Sequence, residues 1–227
     1  MPYIEFKNVC KEYKMGEVKI KALNNTNFSI EKGELVVIVG PSGAGKTTTL
    51  NILGGMDTAT SGSVTIDGKE VTKLKNKELI KYRRDDIGFV FQFYNLIPIL
   101  NVVENMTLPV LMDGREVNQE FLTELVATLG LEGKEKKLPN ELSGGQQQRT
   151  SIGRALMTSP LVVLADEPTG NLDSKNSQEI IQLLKASNKK YNQTLIVITH
   201  DENIALQADR IIAIEDGGIT RDEVIRG

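Results

Sequence analysis

The segment "ELVVIVGPSGAGKTTTLNILGG" (residues 34–55) gives the first indication of how this chain folds. Its continuous aliphatic run at 35–39 is typical of a strand that is covered on both faces, as in a parallel sheet. The loop "GPSGAGKT" at 40–47 fits the pattern G-x-x-x-x-G-K-[ST], and a helical pattern follows it. Strand, glycine-rich loop and helix in this order predict a phosphate-binding loop.

The residue types in this loop suit the phosphates of a nucleoside triphosphate. The glycines lack a Cβ, so their backbone N–H groups can curl around an anion, and the following helix adds the positive end of its dipole. The Lys46 ammonium can reach the β- and γ-phosphates, and the Thr47 hydroxyl can bind Mg²⁺. We therefore predict that the nucleotide contacts Gly40, Pro41, Ser42, Gly43, Ala44, Gly45, Lys46, Thr47 and Thr48.

Two further aliphatic runs, "LVVLAD" (161–166) and "TLIVITH" (194–200), extend the predicted parallel sheet. The residues between them carry an apolar helical stripe, for which Asp173 or Ser174 is available as N-cap. Strand, helix and strand at this spacing are typical of a βαβ unit. The sequence therefore indicates an α/β sheet.

An acidic pair stands at the end of the first of these two runs. Open α/β sheets bind ligands at the carboxyl ends of their strands, so Asp166 is placed to hold Mg²⁺ through water. Glu167 follows at once, where a general base for an attacking water would lie; the alternative is a mere surface acid. Because a positioned base contributes about 10²- to 10⁴-fold, we predict that Glu167→Gln binds ATP but hardly hydrolyses it.

Two regions depart from the α/β pattern. "SGSVTIDGKEV" (61–71) has an Asp-Gly turn between β-rich arms, and with the alternating "YIEFKNV" (3–9) it predicts a small antiparallel layer. From about 100 to 158 the pattern is helical, as in "NQEFLTELVATLG" (118–130). We predict an α/β fold with a P-loop NTPase (RecA-like) core, a small antiparallel β layer and an inserted helical subdomain. The predicted single domain spans 1–227: core and antiparallel layer in 1–92, helical insertion in 93–158 and core again in 159–227.

Composition narrows the class of partner and compartment. A formal net charge of −3, with Lys and Arg scattered among acids, argues against nucleic acid as a partner. Cys10 is the only cysteine, so no internal disulfide can form and a reducing compartment is expected. The apolar runs are shorter than the roughly 20 residues that cross a bilayer, and no leader pattern is seen. We expect a cytoplasmic protein.

A second glycine motif, "ELSGGQQQR" (141–149), precedes a plausible helix. Ser143 and two glycines at a helix start can bind an anion in the same way as the first loop. One chain has no evident need for two such sites, whereas two chains facing head to tail could each cap the other's nucleotide. The alternative is an ordinary Ser143 N-cap beside a flexible glycine pair, and local physics leaves both open.

Taken together, these motifs resemble those of the ATPase subunits of ABC transporters, and the resemblance covers the whole chain. "LSGGQ" matches that family's signature motif, which implies nucleotide contacts from Ser143, Gly144, Gly145 and Gln146. Gln92 corresponds to the family's Q-loop glutamine, which contacts Mg²⁺ and the membrane subunit. The resemblance also implies that Tyr13 stacks on adenine, and that "GNLD" at 170–173 forms the D-loop and brings Asp173 to the site.

His200 is the only histidine of the chain and ends a predicted strand. On its own, such a residue is more often structural than functional. The resemblance places it on the family's switch histidine, which contacts the γ-phosphate, near Glu167 when the site closes. With Lys46 these two residues form the predicted catalytic set, and we expect His200→Ala to lose most ATPase activity while keeping its fold.

Within the family, "FQFYNLIPILNVVEN" (91–105) and "ADEPTGNLDSK" (165–175) resemble the small stand-alone ATPases of the lipoprotein-release, macrolide-export and antimicrobial-peptide-resistance type. The resemblance implies ATP and Mg²⁺ as cofactors, a second ATPase subunit, expected to be another copy, and a separate integral-membrane permease. ATP-driven dimerisation and hydrolysis would then power an exporter or extruder of peptide, antibiotic or lipoprotein-like cargo. The chain would lie on the inner face of the cell membrane, bound to the permease.

Other functions fit parts of the sequence. A cell-division ABC ATPase shares much of the same likeness, and a soluble ABC-type ATPase could act on nucleic acid or ribosomes, although such proteins carry two units or a long coiled coil. An unrelated GTPase would need N-K-x-D, which "NKEL" (76–79) lacks, and a kinase would leave "LSGGQ" unexplained. The apolar stretch Phe93 to Leu100 either contacts the permease or packs inside the helical insertion.

Overall fold

The computed structural model describes residues 2–225 of the chain. Within them the strands are β1 (Ile4–Met15), β2 (Val18–Ile30), β3 (Leu35–Val39), β4 (Ser61–Ile66), β5 (Lys69–Glu70), β6 (Ile87–Phe91), β7 (Val162–Asp166), β8 (Thr194–Ile198), β9 (Arg210–Glu215) and β10 (Gly218–Val224). The α-helices are α1 (Lys46–Leu53), α2 (Asn76–Asp85), α3 (Val102–Met112), α4 (Gln119–Thr128), α5 (Gly144–Leu156), α6 (Ser174–Tyr191) and α7 (Glu202–Ala205). Short 3₁₀ helices lie at Val71–Lys73 and Pro139–Glu141.

A six-stranded sheet in the order β10-β9-β3-β8-β7-β6 forms the core. Its strands run parallel except β10, which pairs antiparallel with β9 at one edge. In its register Asp166 lies opposite both Phe91 of β6 and Ile198 of β8. The residues that follow these three strands therefore emerge at the same edge of the sheet, where ligands of open α/β sheets bind.

Alternating residues of β3 enter two separate apolar cores, which explains its continuous aliphatic sequence. Leu35 and Val37 pack in a cluster with apolar residues of α3, α4, α5 and α6. Val36 and Ile38 pack in a second cluster with α1 and the antiparallel layer. Successive side chains of a strand point to opposite faces, so a strand covered on both sides needs apolar residues throughout. The predicted buried strand is confirmed.

The antiparallel layer is a four-stranded sheet in the order β2-β1-β4-β5. The Asp67-Gly68 turn joins β4 to β5, as the sequence predicts. Strand β2 begins at Val18, and its first residues alternate apolar and lysine side chains, although Val18 and Ile20 are exposed. They form a strand through pairing with β1, which continues to Met15 opposite Val18.

The helical insertion contains α3, α4 and α5, and its helices bury one face each. Leu122, Leu125 and Val126 of α4 are buried, and Gly130 with φ +63° follows the helix end. The helix predicted after the signature motif is present as α5. Helix α2 was not predicted, since Tyr82 is the one residue it buries and no apolar stripe marks it. The domain boundaries at 92/93 and 158/159 remain a prediction.

No helix within residues 2–225 combines the length and the apolar character that a membrane span needs.

Candidate nucleotide-binding site

A cavity of about 560 Å³ opens at the carboxyl edge of the parallel sheet. It is lined by Ala22, Gly40, Ser42, Gly43, Ala44, Gly45, Lys46, Thr47, Thr48, Gln92, Asp166, Glu167, Ile198 and His200. Apart from Ala22 of β2, these residues come from the phosphate-binding loop with the start of α1, and from the ends of β6, β7 and β8. Every predicted loop residue except Pro41 lines the cavity, which brings together motifs that are up to 160 positions apart.

Two glycines of the loop occupy positions that no other residue can take. Gly40 has φ +148°, and a Cβ there would lie 2.1 Å from the carbonyl oxygen of Ile214. Gly45 has φ +106°, and a Cβ would lie 2.3 Å from the carbonyl oxygen of Ala22. Gly45 is also the N-cap of α1 and offers no side-chain acceptor. The first N–H groups of α1 therefore remain available for an anion.

Lys46 is held against the loop that precedes it. Its ammonium donates hydrogen bonds to the carbonyl oxygens of Gly40 (2.7 Å) and Pro41 (2.8 Å). These bonds fix a positive charge on the wall of the cavity, next to the amide groups of the loop. Pro41 thus contributes through its carbonyl oxygen, although it does not line the cavity.

Thr47 and Asp166 form the oxygen-rich side of the cavity. The Thr47 hydroxyl donates to Asp166 Oδ2 at 3.0 Å. Burial raises the pKa of Asp166, and the nearby Glu167 raises it further, while the bond from Thr47 acts in the opposite direction. Gln92 also lines the cavity, and its side chain carries an amide oxygen. A hydroxyl, a carboxylate and an amide oxygen are the hard donors that suit Mg²⁺.

Glu167 and His200 are in direct contact at the wall of the cavity. The ring Nδ1 of His200 lies 3.1 and 3.0 Å from the two carboxylate oxygens of Glu167, and since an ionised carboxylate only accepts, Nδ1–H is the donor. The His200 side chain is 76% exposed, so it is not a packing residue. Glu167 adopts φ +47°, an unusual backbone conformation for a side chain of its kind. The carboxylate therefore occupies a fixed place at the cavity wall.

Tyr13 lies beside the cavity without lining it. Its hydroxyl donates to Asp57 Oδ2 at 2.6 Å, and Thr48 interacts with the same hydroxyl. The ring is 37% exposed. A base attached to phosphates in the loop could reach this ring, as the resemblance implies.

The signature and D-loop residues are apart from the cavity. Ser143 is the N-cap of α5: its hydroxyl accepts from Gln146 N–H (3.3 Å), and the Gln146 side chain accepts from Ser143 N–H (3.0 Å). Asp173 is the N-cap of α6 and accepts from Asn176 N–H at 2.9 Å. A Cβ on Gly145 would lie 2.7 Å from Asn176 Oδ1, so the two helix starts are in contact. Neither these residues nor Gly144 line the cavity.

One residue near the site was missed by sequence reasoning. Gln148 is fully buried, and its amide group donates to the carbonyl oxygens of Phe91 (3.3 Å) and Pro168 (2.6 Å). It thereby connects α5 with the strand end before Gln92 and with the loop after Glu167. The only signal in the sequence is its place in the run "QQQ" after the signature motif, which does not reveal these partners.

Comparison with known proteins identifies the family. The sequence model of the family described as "ABC transporter" matches residues 23–170, well over half of the chain. The chain belongs to the ABC transporter family. The predicted resemblance and the P-loop NTPase fold class are confirmed, and the predicted ATPase is confirmed as an ABC ATPase.

Individual ABC transporter proteins align along almost the whole chain. The uncharacterized ABC transporter ATP-binding protein MJ0796 of Methanocaldococcus jannaschii is 49% identical over 230 residues, which cover 99% of this chain and 98% of MJ0796. The macrolide export ATP-binding/permease protein MacB of Mannheimia succiniciproducens is 46% identical over 224 residues, covering 98% of this chain. This chain spans only 35% of that MacB.

The solved structures agree with the sequence comparison. A dimeric structure of a post-hydrolysis state of the ATP-binding cassette MJ0796, bound to ADP and Pi, superposes with a TM-score of 0.89. Its sequence is 47% identical, and the alignment covers 99% of both chains. The roles of the individual site residues of our chain remain predictions.

Proposed function

We propose that this ABC ATPase works as one half of a head-to-tail pair that closes on ATP and drives a separate membrane permease. One observation carries the proposal: the cavity holds the phosphate-binding loop, Asp166, Glu167 and His200, while the signature residues 143–146 of the same chain do not line it. A second copy can bring its own signature motif to the open side. The dimeric ADP- and Pi-bound structure of MJ0796 supports such a pair.

The first task of the cavity is to bind the triphosphate. The N–H groups of the loop and the start of α1 surround the phosphate oxygens, and Lys46 adds a full positive charge at the β- and γ-phosphates. Thr47, Asp166 and Gln92 would hold Mg²⁺, which neutralises charge on the phosphates when bound. Among residues 2–225 no group of three or more His, Cys, Asp or Glu could hold a metal by itself. This pattern suits Mg²⁺, which takes few protein ligands and completes its shell with phosphates and water.

The second task is hydrolysis of the γ-phosphate. A water oxygen forms a bond to the γ-phosphorus while the bond from that phosphorus to the bridging oxygen breaks, and ADP leaves. The Glu167 carboxylate accepts the proton of the water as general base. The His200 Nδ1–H bond holds that carboxylate in place, because both of its oxygens lie within 3.1 Å of the ring nitrogen. Lys46, placed at the β- and γ-phosphates, stabilises the negative charge on the transferred γ-phosphate and on the ADP that leaves.

The pairing is tested with the Glu167→Gln variant, which should hold ATP without turning it over. We expect sedimentation velocity to show a monomer alone and a dimer with MgATP, and turnover to fall about 10²- to 10⁴-fold. Glu132→Gln, which alters an exposed carboxylate of the helical insertion, is the matched control and should hydrolyse ATP as the wild type does. A Glu167→Gln protein that stays monomeric at every concentration of saturating MgATP would rule out the paired site.

The membrane partner is expected at a groove on the side of the helical insertion. A cavity of about 370 Å³ lies there, with Arg83, Arg84 and Arg154 among its lining residues. Phe93 and Ile99 belong to the segment that follows Gln92, and they are 68% and 82% exposed. Phe93 and Ile99 therefore do not pack inside the insertion, which favours the contact surface over internal packing.

Arg154 of α5 holds the backbone of the segment that follows Gln92. Its guanidinium donates to the carbonyl oxygens of Tyr94 (2.9 Å) and Asn95 (2.5 Å), and burial lowers its pKa. The segment after Gln92 is thus held against α5. A movement of this segment, caused by the permease, would therefore be transmitted both to Gln92 and to the helix that follows the signature motif.

We propose an exporter or extruder of peptide, antibiotic or lipoprotein-like cargo, with the chain attached to the inner face of the membrane through its permease. MacB is named for macrolide export, and our chain spans 35% of that protein.

A further inference from the structure

Lys11 is a buried lysine that the chemistry described so far does not use. Only 8% of its surface is exposed. Its ammonium donates to Asp57 Oδ1 at 2.5 Å and to the carbonyl oxygen of Thr58 at 2.7 Å. A buried charge is costly unless it is paired and hydrogen-bonded, and here both conditions are met. The pair lies between β1 and the segment that follows α1.

The same carboxylate also holds Tyr13. One oxygen of Asp57 accepts from Lys11 and the other accepts from the Tyr13 hydroxyl at 2.6 Å. Burial raises the pKa of Tyr13 and the bond to Asp57 raises it further, so the hydroxyl remains a donor. Burial opposes ionisation of Asp57, but the bonds from Lys11 and Tyr13 outweigh it and lower the pKa of the carboxyl. Donor and acceptor therefore keep their roles at neutral pH.

Lys11 covers one face of the Tyr13 ring as well. Its ammonium nitrogen lies 4.8 Å from the ring centroid, within the range of a cation–π contact. Tyr13 is 37% exposed, so part of its side chain that Lys11 does not cover can meet a ligand. One face of the ring is thus engaged by the protein before any ligand binds.

The carboxylate that holds Tyr13 is itself tied to the helix that starts at the phosphates. Asp57 N–H donates to the carbonyl oxygen of Asn51 in α1 at 3.1 Å. At the other end of the helix, Thr48 interacts with the Tyr13 hydroxyl. The Tyr13 hydroxyl is thus linked to both ends of α1, the helix that begins at the phosphate-binding loop.

We propose that Lys11 and Asp57 are positioning residues that hold Tyr13 as a one-sided platform for the base of the bound nucleotide. The inference rests on the proposed role of Tyr13 in nucleotide binding. A ring that is fixed before binding loses little side-chain freedom when a base stacks on it. The Lys11–Asp57 pair should therefore raise affinity for a ligand with a base and leave affinity for bare phosphates unchanged.

Calorimetric titrations with MgATP and with magnesium tripolyphosphate separate these two contributions. We expect Tyr13→Ala to weaken ATP binding about 5- to 150-fold, the usual range for loss of a base–aromatic stack. Lys11→Met and Tyr13→Phe, which remove the pair or only the bond to Asp57, should weaken it about 2- to 10-fold. Tripolyphosphate should bind all three as it binds the wild type. Lys7→Met is the matched control, because Lys7 lies on the same strand and its side chain is 61% exposed.

The possible failures point to different causes. If Tyr13→Ala loses ATP affinity while Lys11→Met and Tyr13→Phe bind as the wild type, the positioning role is wrong and the nucleotide site stands. If Tyr13→Ala binds ATP normally and Lys46→Ala does not, Tyr13 is not the platform and the inference fails with it. An equal loss for ATP and tripolyphosphate in Lys11→Met would show that the pair supports the fold alone.

Discussion

Glu167 has φ +47°, a backbone conformation that non-glycine residues adopt at some cost, and its carboxylate oxygens both lie near His200 Nδ1. The His200 ring thereby restricts rotation of the Glu167 carboxylate, the proposed general base for the attacking water. We expect His200→Ala to reduce ATP turnover about 10²- to 10³-fold, as loss of a positioned donor does. Because the side chain is 76% exposed, the melting temperature should stay near that of the wild type. A steady-state phosphate-release assay with parallel thermal melts checks both, and normal turnover would show that Glu167 needs no such support.

For Asp166 we expect one substitution to lower activity and to raise stability. Burial raises its pKa, so the folded state binds its proton more tightly than the unfolded state does. The ionised form therefore lowers the free energy of unfolding at neutral pH, and this cost disappears as pH falls through the raised pKa. Asp166→Asn removes the charge and keeps an oxygen for the Thr47 hydroxyl, so we expect loss of Mg²⁺-dependent hydrolysis.

The same variant should be more stable without nucleotide. The partly solvated site limits the gain, and we expect the melting temperature to rise by about 1–3 °C, since about 1 kcal/mol corresponds to 2–4 °C in a chain of this length. Scanning calorimetry measures the shift, with Glu132→Gln as the control that should not move it. A lower melting temperature for Asp166→Asn would mean that the ionised carboxylate stabilises the fold.

The sequence identifies site residues when their chemistry is local. The loop at 40–47 is recognised because glycine, lysine and threonine stand at fixed offsets after a strand. Gln148 is different, since its partners Phe91 and Pro168 lie 57 and 20 positions away. The Lys11–Asp57 pair spans 46 positions. No spacing rule connects such residues, and only the packed sheet shows that they meet.

At the level of secondary structure, the N-cap of α5, Ser143, has two possible roles that a substitution can separate. Ser143 is an ordinary N-cap within the chain, and it is proposed to contact the nucleotide of a second copy. Asn caps a helix as well as Ser does, whereas Ala costs about 1 kcal/mol at such a position. We expect Ser143→Asn to melt like the wild type but to lose most ATPase activity, and Ser143→Ala to lose activity and about 2–4 °C in melting temperature. Full activity of Ser143→Asn would leave capping as its whole role.

Elements are predictable from the sequence where burial imposes a period. Helix α4 and strand β3 bury regular sets of apolar residues and were predicted. Helix α2 buries only Tyr82, whose hydroxyl donates to the Leu53 carbonyl, and most of its other residues are charged. Its sequence resembles a loop because its position depends on one long side chain and not on a buried apolar stripe. The beginning of β2 alternates apolar and lysine residues but leaves Val18 and Ile20 exposed, so pairing with β1 and not burial forms that part of the strand.

At the level of the whole molecule, the parallel topology explains why distant motifs share a cavity. Strands β6, β7 and β8 end at one edge, so Gln92, Glu167 and His200 meet there whatever their separation in sequence. That much follows from the βαβ pattern. The open side of the cavity does not, because we propose that a second copy of the chain completes it. The exposed surface formed by Phe93 and Ile99, after Gln92, is likewise expected to be covered by another molecule, the permease.

We expect that surface to be required for coupling and dispensable for ATP chemistry. Phe93 and Ile99 are exposed apolar residues of the segment that follows Gln92, and replacing both with serine removes contact area without altering a residue that lines the nucleotide cavity. The double variant should hydrolyse ATP and dimerise as the wild type does, and should no longer recover the permease from detergent-solubilised membranes of the source cells.

Val18 and Ile20 provide the matched control, since they are also exposed apolar residues, 62% and 46%, but lie at the beginning of β2 in the antiparallel layer and do not line the groove. Their double serine variant should recover the same multi-span protein as the wild type, identified by mass spectrometry. Equal recovery with both double variants would place the permease contact elsewhere. Loss of recovery with both would mean that general surface hydrophobicity, and not a defined contact beside Gln92, had retained the membrane protein. Only a selective loss ties the membrane partner to the stretch that Arg154 anchors to α5, and so to the helix whose start is proposed to complete the neighbouring site.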